Sequence, residues 1–183
     1  MPDANITKQA LATSLKRNMR EKPFEKISVI DICEGCGMNR KSFYYHFKDK
    51  YDLVNWIFYT DFIQLAVARE YNDGWDLIRM VAELFDQDRE FYRGALEIEG
   101  QNSFRDYFYD STMPIMGMFL QDLGNDDVQV TLNKRYMSDA FLAILYRWLK
   151  SGKEQTPEMF VENMRLIVAN LSARVAARTP RRS

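Results

Sequence analysis

One histidine, two cysteines and five prolines are all that this 183-residue sequence has of those residues, and no apolar run reaches eighteen positions. Each scarcity excludes something. Without a long apolar run there is no predicted membrane-spanning helix, and Met1 to Gln9 has neither a basic segment nor the apolar stretch of a secretory signal, so a cytoplasmic protein is expected. Two cysteines, Cys33 and Cys36, cannot build a disulfide framework and suit a reducing compartment. They form a CxxC, but both fall on the inward face of a predicted helix with no second Cys pair, so they read as small core residues and not as a metal or redox site. With His46 as the lone imidazole and no glycine-rich phosphate loop, no nucleophile-and-base set, metal or cofactor is expected, and the chain reads as a non-enzyme.

Strand alternation is nearly absent too. Apolar residues recur at helical spacing almost throughout, which predicts an all-α fold of about nine helices. The first runs from about Ile6 to Glu21 and stops before Pro23. Ser28 and Asp31 form a capping box for the second, which Gly37 ends. Asn39 caps a short third helix, Arg40 to His46; Asp49 with Asp52 caps a fourth reaching about Glu70, and Asp73 with Asp76 repeats that signature. Further helices are expected over 89–99, 102–123, 127–151 and 157–178. Residues 1–52 thus read as one domain, helix 50–70 as a connector, and 71–183 as a second helical domain for effector binding and dimerisation.

The net charge of −1 is unevenly spread: through Asp52 there are ten basic residues against seven acidic, and the remainder is acidic. One end is suited to meet an anion. There, two helices joined by a tight turn make a helix-turn-helix over Ser28 to Phe47, with Val29, Ile32, Cys33, Cys36, Met38, Phe43 and Phe47 facing inward. Arg40, Lys41, Ser42, Tyr44, Tyr45 and His46 stay outside, followed by Lys48 and Lys50. Arg40 and Lys41 suit base edges, Ser42 a base or a phosphate, Tyr44 a thymine methyl or a phosphate, and Tyr45, His46 and Lys50 the backbone; Lys48 and Ser28 complete the candidate set for double-stranded DNA.

The run Gly37-Met38-Asn39-Arg40-Lys41-Ser42-Phe43-Tyr44-Tyr45-His46-Phe47-Lys48-Asp49-Lys50 resembles the DNA-binding domain of the TetR family of regulators, a likeness extending over about residues 5 to 60. The resemblance implies Tyr44, His46 and Lys50 as phosphate contacts, and Arg40, Lys41 and Ser42 as groove-facing residues. Cys33 and Cys36 depart from the family's usual Ala, and Asn39 from its common Ser. The segment Glu90 to Phe108 is similar to the C-terminal domains of a subgroup that includes an activator of dihydroxyacetone-kinase operons, which implies that a partner protein can stand in for a small molecule.

In the second half, Trp75, Tyr92, Asn102, Arg105, Tyr107, Met113 and Met116 either fill a core or line an effector pocket, and Pro114 is expected to bend its helix. Tyr136, Phe141, Leu145 and Trp148 on one helix, with Phe160, Met164, Ile167 and Leu171 on the next, make two wide apolar stripes. They either face their own core or pack as a four-helix dimer interface, the arrangement that the resemblance implies. The expectation is a homodimeric, sequence-specific regulator on a pseudo-palindromic operator, controlled by a small molecule in the C-terminal domain or by a partner protein docking there.

Overall fold

A computed structural model describes residues 2–68, 71–100, 103–119, 127–152 and 154–178, some of them by their backbone alone. Among the described residues there are nine α-helices and no strand: α1 (Pro2–Glu21), α2 (Val29–Glu34), α3 (Arg40–His46), α4 (Lys50–Ala68), α5 (Gly74–Gln87), α6 (Arg89–Leu96), α7 (Phe104–Phe119), α8 (Asp127–Lys150) and α9 (Pro157–Arg178). A single 3-10 turn, Phe24–Lys26, links α1 to α2. None of these helices is long and apolar enough to cross a membrane.

A repeated local device sets many of the helix starts. The side chain of one polar residue accepts from the backbone N–H three positions on, satisfying an amide that the helix cannot. Asn39 Oδ1 accepts from Ser42 N–H at 2.9 Å, and Asp49 Oδ1 from Asp52 N–H at 2.9 Å. Asp73 Oδ1 accepts from both Trp75 and Asp76. Ser103 Oγ does the same for Asp106. That last cap starts α7 at Phe104, two residues later than the spacing predicts, and α6 stops at Leu96 where 99 was expected. Helix α2 is also shorter than expected. It ends at Glu34, and Gly37, at φ +68, turns the chain so that Met38 N–H reaches Cys33 O at 2.9 Å.

The buried side chains form one continuous cluster. It begins with Leu11 and Leu15 of α1 around Ile32 and Phe43, continues through Leu53 and Phe58 of α4, and runs on into Phe85, Tyr92, Phe104 and Phe108. Leu142, Leu145, Trp148, Phe160 and Val161 complete it where α8 and α9 pack down. Arg89, at the start of α6, crosses to the end of α8, donating to the carbonyls of Trp148, Leu149 and Gly152 with its guanidinium over the Trp148 ring. It thereby ties the start of α6 to carbonyls in the last turn of α8 and just beyond it.

Helices α1 and α2 approach so closely that Gly35 has no room for a side chain. Its backbone is ordinary, φ −60, but a Cβ there would lie 2.1 Å from Ser14 Oγ and 2.7 Å from the Arg17 guanidinium. The obstacle is therefore steric. Gly35→Ala is expected to lower the urea midpoint by the equivalent of about 1–3 kcal/mol. Because the buried Ser14 hydroxyl has no hydrogen-bond partner, Ser14→Ala should recover part of that loss in the double variant, and an unchanged midpoint in Gly35→Ala would contradict the close contact.

Candidate nucleic-acid interface

The helix-turn-helix is assembled from two capped helices and one anchor. Ser28 N–H and O–H both donate to Asp31 Oδ2 at 2.7 Å, while Asp31 N–H donates back to Ser28 Oγ at 3.1 Å, so α2 begins in a complete capping box. Lys22 adds an ion pair to Asp31 at 3.0 Å. Phe43, fully buried between Tyr44 and Phe47, fixes the face that α3 turns inward. The opposite face follows.

Arg40 and Lys41 are exposed there, with the Arg40 guanidinium 5.8 Å from the Tyr44 ring. Tyr45 is 82% exposed, and its ring meets His46 edge-on at 4.9 Å. Ser42 is half-buried, and its hydroxyl donates to Asn39 Oδ1 at 3.3 Å, which leaves its lone pairs for a donor. Among the described residues Arg40, Lys41 and Lys48 have no carboxylate at ion-pair distance, whereas Lys16, Arg20 and Lys22 of α1 and its exit are all paired.

Two residues expected to touch DNA are occupied otherwise. The Ser28 hydroxyl is committed to the capping box. Lys50 turns back toward the 3-10 turn, where its ammonium donates to Phe24 O at 2.7 Å, Ile27 O at 2.8 Å and Glu25 O at 3.3 Å and lies 4.3 Å from the Phe24 ring centroid. Burial pushes its pKa down, against the pull of Glu25 and Asp31.

The described effector candidates have varied surroundings, and of them Tyr92 and Tyr107 share a neighbour in Phe58. Tyr92 is fully buried, stacked on Phe85 at 4.1 Å with its hydroxyl donating to Asp61 at 3.3 Å. Burial there raises its pKa well above the ordinary value of 10. Trp75 lies beneath the Arg165 guanidinium, Arg105 donates to Leu96 O, and Tyr107 and Met113 are half-buried. Asn102 and the side chain of Met116 lie outside the described residues. Two cavities flank α1, one of about 320 Å³ beside Trp56 and Asp61, the other of about 240 Å³ beside Arg93 and Glu97, and none of the effector candidates lines either.

The two apolar stripes divide. Leu145, Trp148 and Phe160 are buried within the protomer, Trp148 stacking on Phe160 at 4.6 Å, so these three serve the chain's own core and not an interface. Tyr136 and Ile167 are exposed, Phe141 and Met164 half-buried, and the Leu171 side chain lies outside the described residues. Leu132, Ile144, Met159, Leu166 and Val168 of the same two helices are exposed as well. Charge patterning could have flagged Lys50: a cation at the first residue of a helix opposes the helix dipole and needs acceptors of its own.

Comparison with known proteins places the chain among transcriptional regulators. Residues 16–57 match a family model described as bacterial regulatory proteins, tetR family, and residues 75–170 one described as transcriptional regulator C-terminal region. The HTH-type dhaKLM operon transcriptional activator DhaS of Lactococcus lactis subsp. lactis (strain IL1403) is 24% identical over 178 residues, covering 93% of this chain and 94% of its own. A solved structure titled dihydroxyacetone kinase operon activator DhaS superposes with a TM-score of 0.59 at 22% identity, covering 92% of this chain and 97% of that one.

The capping box also makes stability acid-sensitive. Hydrogen bonds from the Ser28 backbone and hydroxyl, then from Lys22, hold the Asp31 carboxyl down from an ordinary 3.8 to about 2. A carboxylate depressed on folding stabilises the native state fully above its unfolded pKa, and that contribution disappears as pH falls through the folded value. Circular dichroism melts between about pH 5 and about pH 2 should therefore show a falling midpoint. Asp31→Asn should melt lower than the parent at neutral pH but lose less on acidification, and parallel curves for the two would refute the assignment.

Proposed function

The chain belongs to the tetR family of bacterial regulatory proteins, and we propose that it binds a pseudo-palindromic operator as a homodimer, each protomer laying α3 in a major groove. The carrying observation is the outward face of α3. A helix capped by Asn39 and anchored by Phe43 presents Arg40 and Lys41, cations with no ion-pair partner among the described residues, on its outward face. Guanidinium and ammonium groups there suit guanine O6 and N7, with Ser42 beside them. Tyr44, Tyr45, His46 and Lys48 flank this face and serve the phosphates. Two copies would read half-sites roughly 34 to 36 Å apart.

Dimerisation is supported by the apolar side chains that α8 and α9 leave in water, among them Leu166 at 59% and Ile167 at 56% exposure. Scattered apolar residues on a surface are ordinary; several on each of two helices that meet at the Trp148–Phe160 stack suit a partner. Control enters through the C-terminal domain. A small molecule would have to open the ring cluster of Phe58, Phe85, Tyr92, Phe104 and Phe108, whose centroids lie 4.1 to 6.5 Å apart. That close ring packing favours a second reading, control by a protein docking on this domain.

Selection of bound duplexes from a random pool tests the DNA reading directly. On the enriched duplex, Lys41→Ala should cost about 1–3 kcal/mol and relax the preference at particular base pairs, while Lys48→Ala should weaken all duplexes alike and lower the salt slope by about one. No enrichment, or equal effects of both variants on enriched and random DNA, defeats this assignment. For the dimer, Ile167→Glu should convert a two-protomer species to monomer in micromolar sedimentation velocity, and a monomeric parent chain would remove the palindrome with it.

A further inference from the structure

We infer that Lys50 is a positioning residue for DNA reading: its ammonium, held by the carbonyls of Phe24, Glu25 and Ile27, sets the angle of α3 to the duplex and touches no phosphate itself. This deepens the proposed DNA-binding function and rests on it. An ammonium has three N–H donors and no acceptor. Three carbonyl oxygens at 2.7, 2.8 and 3.3 Å account for all three, and the Phe24 and Tyr51 rings lie 4.3 and 5.9 Å from the charge. A phosphate could be met only by giving up one of these bonds and pulling the cation off the ring face.

The position of those carbonyls gives the clamp its consequence. They belong to the 3-10 turn and the residue after it, directly ahead of α2, whereas Lys50 is the first residue of α4, directly after α3. One side chain thus ties the entrance of the helix-turn-helix to its exit, with α2 and α3 between the two points. Charge adds a second constraint. A cation in the first turn of α4 is repelled by the helix dipole, and the carbonyls offset that repulsion only while the exit stays where it is. Phe24, buried and edge-on to Tyr51 at 5.0 Å, keeps the acceptors from following a displaced Lys50.

Lys50→Met retains the apolar stem and removes the donors; Lys50→Arg retains the charge but places a planar fork where a compact ammonium fits. Affinity would be measured for both variants and the parent chain on the duplex enriched by the parent and on a random duplex, across salt concentrations, alongside thermal unfolding. The expected result is a specific-to-random affinity ratio reduced by about tenfold in both variants with the salt slope of the parent, because misdirected base-reading side chains lose discrimination and no phosphate contact is lost. A slope lowered by about 0.9 in Lys50→Met, with equal loss on both duplexes and full binding by Lys50→Arg, would make Lys50 a phosphate contact and overturn the inference. A lower melting temperature with ratio and slope unchanged would reduce it to a purely structural residue and overturn it equally. If Lys50→Met does not fold, Lys50→Arg decides alone: parental ratio and slope sink the inference. Failure of the parent chain to enrich any duplex would instead bring down the DNA-binding reading itself.

Discussion

Burial of Phe43 determines which way α3 faces, and the interface depends on that orientation. A helix of seven residues is too short to persist in water by its own hydrogen bonds. Its stability comes from tertiary packing, and Phe43 is its one fully sequestered side chain. Burying a phenylalanine contributes about 2–3 kcal/mol, and the Asn39 cap adds about 1 kcal/mol. The two act at different points. The cap sets where the helix begins, the ring sets its rotation, and Arg40 and Lys41 are turned outward by both.

The reading head is not a separate body resting on the rest of the chain. Leu11 and Leu15 of α1 belong to the same buried cluster as Phe58, Phe85 and Tyr92. Around this apolar contact, Lys16 bridges Asp61 of α4 and Asp88 ahead of α6 at 3.0 and 3.2 Å, and Arg20 reaches Asp88 at 3.4 Å. Each such pair, partly exposed, contributes about 0–1 kcal/mol, less than any one of the large buried rings. Apolar packing therefore holds α1 to the body, and the ion pairs select its register along α4 and α6. Gly94 lies against this contact, where a Cβ would come within 2.9 Å of the terminal methyl of Met19.

What the sequence made legible is what depends on neighbours along the chain. The Ser28–Asp31, Asn39, Asp49–Asp52 and Asp73–Asp76 caps each involve residues two to four positions apart, and each is found in place. The outward face of α3 was readable for the same reason, being a matter of helical period around Phe43. Contacts across long stretches of chain were not readable. An apolar stripe on a helix looks alike whether it meets its own core or a second protomer, so Leu145, Trp148 and Phe160 could not be separated from Tyr136 and Ile167 by spacing. Lys50 and its carbonyls lie 23 to 26 residues apart, so its place at a helix start signals only that it needs acceptors, and the chain's local pattern does not say which ones. The effector candidates pose the same difficulty: aromatic content announces a large apolar volume, and only long-range contacts such as the stacking of Tyr92 on Phe85 show which rings pack within it.

A shared core also constrains how a signal can arrive. Packed interiors transmit displacement as rigid elements and do not absorb it locally, so any effector that acted on the C-terminal domain would reach α3 through α4 and α1 together. Helix α4 carries Phe58 in the ring cluster and Lys50 in the clamp, eight positions apart on one rod. A shift of the ring cluster must then either carry the clamp with it, rotating α3 as part of the head, or break the ammonium from its carbonyls. Rotation preserves the bonds and the buried rings, whereas breakage leaves three carbonyls and a cation to be resolvated. Coupling by rotation is the lower-energy course, and an effector drives it only to the extent that it binds one head spacing better than the other.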